Sequence, residues 1–156
     1  MLFSRRAVPK GAFAGVLRIG VVQIDGFSDM AGFMDRADPF VMLQLGEEIR
    51  QTSIKNNAGG KDVIFNEILS FMEKHLMQNM LKIQVYDKDT VSDDLMGECH
   101  VDLKMFDLKE DHEDEEEKIF EMLHNGKPAG KAILVFTRKT GTLAGTLFKL
   151  MTSVDK

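Results

Sequence analysis

Short apolar–polar alternations, broken by turn residues, limit this chain more than any other feature. Leu17, Ile19 and Val21 alternate with Arg18 and Gly20, and Val41, Leu43 and Leu45 repeat the pattern after Asp38-Pro39. A period of two sends successive side chains to opposite faces of a strand, and proline is tolerated at a strand's first position. Further strands are predicted at Glu48 to Lys55 as a polar edge, and at Phe65, Leu69 and Phe71. Others follow at Leu81, Ile83 and Val85, at Cys99, Val101 and Leu103, at Ile119 to Leu123, and at Ala132 to Thr137. Asn56 to Lys61, reading NNAGGK, and Asn125-Gly126 with Pro128 are turns by composition. Ser70 to Met80 carries Phe71, Met72, His75, Leu76 and Met80 at spacings open to a helix. The strands that flank it closely favour a loop or one short turn. The economical fold is all-β, an eight-stranded antiparallel β-sandwich with Greek-key connections.

Two aspartate clusters about fifty residues apart follow two of these strands. Ser28 to Phe40 reads SDMAGFMDRADPF, and Tyr86 to Glu98 reads YDKDTVSDDLMGE. If the sheet brings both loops to one end, Asp29, Asp35, Asp38, Asp87, Asp89 and Asp94 converge. Carboxylates at that density repel, and a divalent cation relieves the repulsion. Calcium takes six to eight oxygen ligands, and aspartate's short side chain keeps carboxylates close to a loop backbone. Asp87 to Glu98 mimics an EF-hand loop at its first, third, seventh and twelfth positions. Val91 and Ser92 stand where that loop needs an acid or amide and a glycine, and the flanks alternate as strands. The acidic run Asp107 to Lys118, His112 included, reads as a solvated segment, because contiguous acids point in different directions.

Composition narrows the function. At 156 residues the chain is long enough for one domain with a sizeable core. The formal charge of −5 argues against nucleic acid and against unaided attraction to anionic lipid. No apolar run is long enough to span a membrane, and the first residues lack the apolar stretch of a secretory signal. Leu2 stands where myristoylation requires glycine. The single cysteine, Cys99, fits a reducing compartment, and its strand parity places it in the core. His75, His100, His112 and His124 fall in no metal-ligand spacing, and no nucleophile elbow or phosphate-binding glycine loop is present. An enzyme is therefore not expected. Residues 1–14 and 140–156 read as tails around a domain over 15–139. The first tail carries Arg5, Arg6 and Lys10 beside Leu2 and Phe3. The second carries Leu143, Leu147, Leu150 and Met151 at helical spacing. That helix either docks on the domain or contacts a membrane or a protein partner.

In order and spacing, these segments resemble the C2 domain, a calcium- and phospholipid-binding β-sandwich family. The resemblance is carried by VLRIGVVQIDGF, the loop ending in ADPFVMLQLG, IFNEILSF, YDKDTVSDDLMGE and the closing GKPAGKAILVFTRK, from about Gly15 to Lys139. With so few residues before the first strand and a strand at Ala132 to Thr137, it resembles the family's circularly permuted topology. The resemblance implies Ca²⁺ as cofactor, with Asp38, Asp87, Asp89 and Asp94 among the ligands. Asp29 and Asp35 compete for one further place. The family's spacing falls on Gly32, as if three residues were inserted after Asp29. It also implies that Phe33 and Met34, at the tip of the first loop, insert into lipid once calcium is bound. Arg50, Lys55 and Lys61 are the candidates for lipid headgroups. The function implied is a calcium-dependent switch that targets anionic phospholipid, in a cytoplasmic protein peripheral at a membrane. The alternative is a calcium-independent protein-interaction module of the same fold.

Overall fold

A computed structural model of the chain describes residues 15–28, 36–73, 80–105 and 116–140. Eight strands run through them: β1 (Gly15–Asp25), β2 (Pro39–Leu45), β3 (Glu48–Gln51), β4 (Val63–Glu73), β5 (Met80–Asp87), β6 (Asp94–Asp102), β7 (Glu117–His124) and β8 (Lys127–Thr140). One 3₁₀ turn, Leu103–Met105, follows β6. All pairings are antiparallel, in the order β3-β2-β5-β6-β7-β8-β1-β4. The β6–β7 junction holds only at Glu98↔Leu123, and there the sheet folds over into two layers. The fold is thus the expected eight-stranded antiparallel sandwich.

The period-two residues explain the core. Val41, Leu43, Leu81, Ile83 and Val85 from one layer are fully buried, as are Leu17, Ile19, Val21 and Leu134 from the other. One feature of β1 escapes the alternation. Its register slips between Val21 and Gln23 against both β4 and β8. Val21 and Ile24, of opposite parity, are therefore both buried. On β4 the same slip places Asn66 at φ 49°, a left-handed conformation that asparagine tolerates well. Two hairpins follow from turn chemistry. Gly46 (φ 62°) opens the two-residue loop between β2 and β3, and Asn125-Gly126 (φ 52° and 76°) joins β7 to β8.

Three boundaries differ from expectation. Ser70 to Glu73 continue β4 rather than entering a loop, because they pair with Gly15 to Arg18. The rest of that expected turn, residues 74–79, lies outside the described residues. The polar edge strand stops at Gln51, since Thr52 turns its hydroxyl onto the Val41 N–H (2.9 Å). The last strand begins at Lys127, five residues before Ala132, because the tight turn pairs it with β7 at once. Cys99 is half-buried against the core rather than fully enclosed. Residues 1–14, residues 141–156 with the expected C-terminal helix, and residues 107–115 of the acidic run lie outside the described residues.

Phe27 fixes the point where the first aspartate loop leaves the sandwich. It is 1% exposed, and its N–H donates to the Gly60 carbonyl (2.9 Å). A Cβ on Gly97 would come within 2.9 Å of its ring, and one on Gly130 within 2.6 Å. Those glycines are the space the ring occupies. Phe27 thereby ties the loop base to β6, to β8 and to the turn before β4.

Candidate metal centre

Asp38, the last aspartate of the first loop, and acids of the second loop lie at one end of β2, β5 and β6. Pro39 pairs with Asp87, and Asp87 pairs with Asp94. Asp38, directly before Pro39, therefore stands beside Asp87 and one strand from Asp94. The backbones lock this arrangement. The Asp38 N–H donates to Asp87 Oδ1 (2.9 Å), and the Lys88 N–H donates to the Asp38 carbonyl (2.9 Å). One rung further into the sheet, Phe40 and Tyr86 stack with centroids 5.6 Å apart, which adds a packed cross-strand pair next to the site.

Asp87 carries the electrostatic signature of the site. Burial pushes its carboxyl above the ordinary carboxylate value, and the negative charges of Asp38, Asp94 and Asp89 push it further. The N–H of Asp38 works in the opposite direction without reversing the shift. Four carboxylates thus lie within electrostatic range of one another. Asp25, at the end of β1, is the contrast. The Asp62 N–H donates to its Oδ1 (2.9 Å), and its carboxyl falls below the ordinary value, chiefly through that bond. Such a carboxylate is satisfied by the fold, whereas Asp87 is crowded by other acids.

The second loop braces itself. Asp89 Oδ1 accepts from the Thr90 N–H (2.6 Å), and the Asp89 N–H donates to Asp93 Oδ1 (3.2 Å). Asp93 also meets Lys88 Nζ at 3.4 Å. Asp93 thus acts as a staple within the loop, a role its place in Ser92-Asp93-Asp94 did not reveal. Asn57 was missed as well. Its N–H donates to Asp38 Oδ1, and its own Oδ1 accepts from the Arg36 N–H (3.3 Å). The composition of NNAGGK marks a turn but not what the turn holds. Asn57 stands at φ 57°, which aims its N–H at the site.

Asp29 and Asp35 lie outside the described residues, as do Phe33 and Met34. Among the described residues, no three His, Cys, Asp or Glu side chains are gathered closely enough to hold a metal ion. The donor chemistry still points one way. Asp38, Asp87, Asp89 and Asp94 offer only carboxylate oxygen, with backbone carbonyls beside them, and such a set suits a hard cation such as Ca²⁺. Arg50 lies over the Phe71 ring at 5.6 Å, Lys55 lies over Phe65 at 5.8 Å and reaches Glu67 at 3.9 Å, and Lys61 is exposed.

A family model for the C2 domain matches residues 15–121, and the chain belongs to that family. Curated relatives include mouse Fer-1-like protein 4, 39% identical over 70 residues, covering 44% of this chain and 4% of that protein. A probable ADP-ribosylation factor GTPase-activating protein of Arabidopsis thaliana is 34% identical over 95 residues, 59% of this chain and 26% of its own length. Elicitor-responsive protein 1 of Oryza sativa subsp. japonica is 30% identical over 98 residues, 59% of this chain and 61% of that protein. The chain spans only a small part of the first two. Among solved structures, a C2 domain of plant Extended Synaptotagmin 1 superposes with a TM-score of 0.67 at 27% identity, covering 83% of this chain and 98% of that one. The calcium-bound pair of C2 domains from Extended-Synaptotagmin 2 shares the fold, with a TM-score of 0.65 at 21% identity over 82% of this chain and 46% of that one.

Proposed function

We propose that this C2 domain is a calcium-dependent module for anionic phospholipid, a membrane-targeting switch and not an enzyme. The observation that carries the reading is Asp87, half-buried and crowded by Asp38, Asp94 and Asp89 at the ends of three adjacent strands. Residues 15–139 form the module, with 1–14 and 140–156 as flanking tails. Asp38, Asp87, Asp89 and Asp94 would hold Ca²⁺, with Asp29 or Asp35 completing the set from the first loop. Without the ion, the acidic end repels an anionic surface. With it, the repulsion is neutralised and lipid phosphate oxygens can enter the ion's shell. Phe33 and Met34 then add apolar burial, each worth on the order of 1.5–3 kcal/mol. Neither side chain alone would hold the domain against the unneutralised acids. That a solved relative of the same fold is described as calcium bound supports the reading.

A second reading is a calcium-independent protein-interaction module. It is favoured by Asp93 facing Lys88 and by the lack of a ready three-acid cage among the described residues. Calcium titration of the thermal transition separates the two. At about a hundred times the dissociation constant, a bound ion adds roughly 2.7 kcal/mol. The switch predicts a calcium-dependent rise in Tm for the wild type and none for Asp87→Asn/Asp89→Asn. A wild type whose Tm ignores millimolar calcium, with or without short-chain phosphatidylserine, would favour the second reading.

A further inference from the structure

The outer face of the β7-β8-β1-β4 layer carries more exposed apolar surface than a solvated sheet face explains. Ile64, Ile68 and Ile119 are 59%, 69% and 61% exposed. The strand registers align them in two rows, Ile68–Gly20–Val135–Glu117 and Ile64–Gln23–Ile133–Ile119. Along the first row runs a groove of about 510 Å³, lined by Gly20, Val22, Ile68 and Val135 together with Arg18, Glu117 and other polar residues. A glycine inside a strand weakens it, so Gly20 calls for a cause. Its backbone is not in the left-handed region. A Cβ there would meet nothing nearer than Val135 at 3.8 Å, an ordinary contact. Neither conformation nor packing within the sandwich requires a glycine. What its absent side chain provides is a dent in the floor of that groove, beside Val22, Ile68 and Val135.

The chain itself supplies a segment that fits. β8 ends at Thr140 in this same layer, paired with Gly15, and residues 141–156 follow. Gly141 comes first, then Leu143, Leu147, Leu150 and Met151, a spacing that places all four on one helix face. Val135 lies five residues back from Thr140, about 17 Å along the strand. A helix over 143–151 is roughly 13 Å long. A chain that reverses at Thr140-Gly141 therefore lays these leucines over the dent. Charge does not oppose it: Glu67 in the groove already meets Lys55, Glu117 and Arg18 balance, and the segment carries Lys149 and Lys156 against Asp155.

We propose that residues 141–156 dock as an amphipathic helix in this groove, with a leucine seated over Gly20. The inference does not depend on calcium or lipid. Hydrogen exchange by mass spectrometry on the full chain, in chelator and without vesicles, tests it. Amides of 143–151 should exchange about tenfold or more slowly relative to the same segment in Ile68→Asp. Ile68→Asp alters an exposed side chain and leaves the core intact, and Gly20→Leu, which fills the dent, should release the segment equally. An unprotected wild-type segment would overturn the proposal. So would protection that survives both variants, protection that appears only with phosphatidylserine vesicles, or protection that tracks a dimer in sedimentation velocity.

Discussion

Asp87 concentrates the physics of the site. Its carboxyl titrates above the ordinary value of 3.8, so the folded state holds that proton more tightly than the unfolded chain does. Its contribution to stability is therefore largest below that value and is lost as pH rises through the folded one. At neutral pH the ionised group opposes folding, and a bound cation would offset that. Asp87→Asn should accordingly raise Tm in chelator while abolishing the calcium-induced rise, since the amide oxygen can still accept from the Asp38 N–H. A fall in Tm in chelator would mean that Asp87 stabilises the metal-free fold. Asp25 behaves in reverse. Its lowered value contributes stability above the ordinary range that is lost as pH falls. Gly130 tests the loop base. Gly130→Ala forces the Phe27 ring aside and should cost about 1–3 kcal/mol by chemical denaturation. An unchanged midpoint would show that Phe27 does not anchor the loop.

At the scale of elements, alternation, together with turn composition, revealed the eight strands, because inward residues such as Leu43 and Ile83 must be apolar at every second position, while β3 reads as a polar edge. It did not reveal the slip at Val22, where one inserted residue reverses the parity of β1. Nor did it reveal where strands end, since ends depend on partners: β4 reaches Glu73 only because β1 begins at Gly15. Asp38, Asp87 and Asp94 were legible because each sits next to a strand terminus that the alternation marks. Asp93 and Asn57 were not, because their roles are hydrogen bonds across turns, which no periodicity encodes. Thr52 shows how an element holds the site. It is 2% exposed, and its hydroxyl accepts from Val41 and donates to the Ser53 carbonyl, pinning β2 just behind Asp38. Thr52→Val leaves the Val41 N–H buried without an acceptor and should cost about 1–3 kcal/mol. Calcium affinity should weaken with it. Full affinity in this variant would separate β2 placement from ion binding.

The whole molecule has two unlike regions. One end of the sandwich gathers acids, and the outer face of the β7-β8-β1-β4 layer exposes isoleucines around Gly20. On the proposed reading, a chain of net charge −5 with this acidic end would need an ion before it meets an anionic surface. At high salt the repulsion is screened, so calcium should matter less for the approach to the surface while still supplying the lipid phosphate contact. Replacing Phe33 with Ser should weaken vesicle binding by about tenfold to a hundredfold, the loss of roughly 1.5–3 kcal/mol of burial, and leave calcium affinity in solution unchanged. Equal losses in both would place Phe33 against the sandwich instead of in lipid. The central claim is tested most directly by co-sedimenting the full chain with phosphatidylserine vesicles, in calcium and in chelator, beside Asp87→Asn/Asp89→Asn. The account predicts that only the wild type in calcium pellets. Equal pelleting of the wild type in both buffers, or of the double variant in calcium, would contradict it.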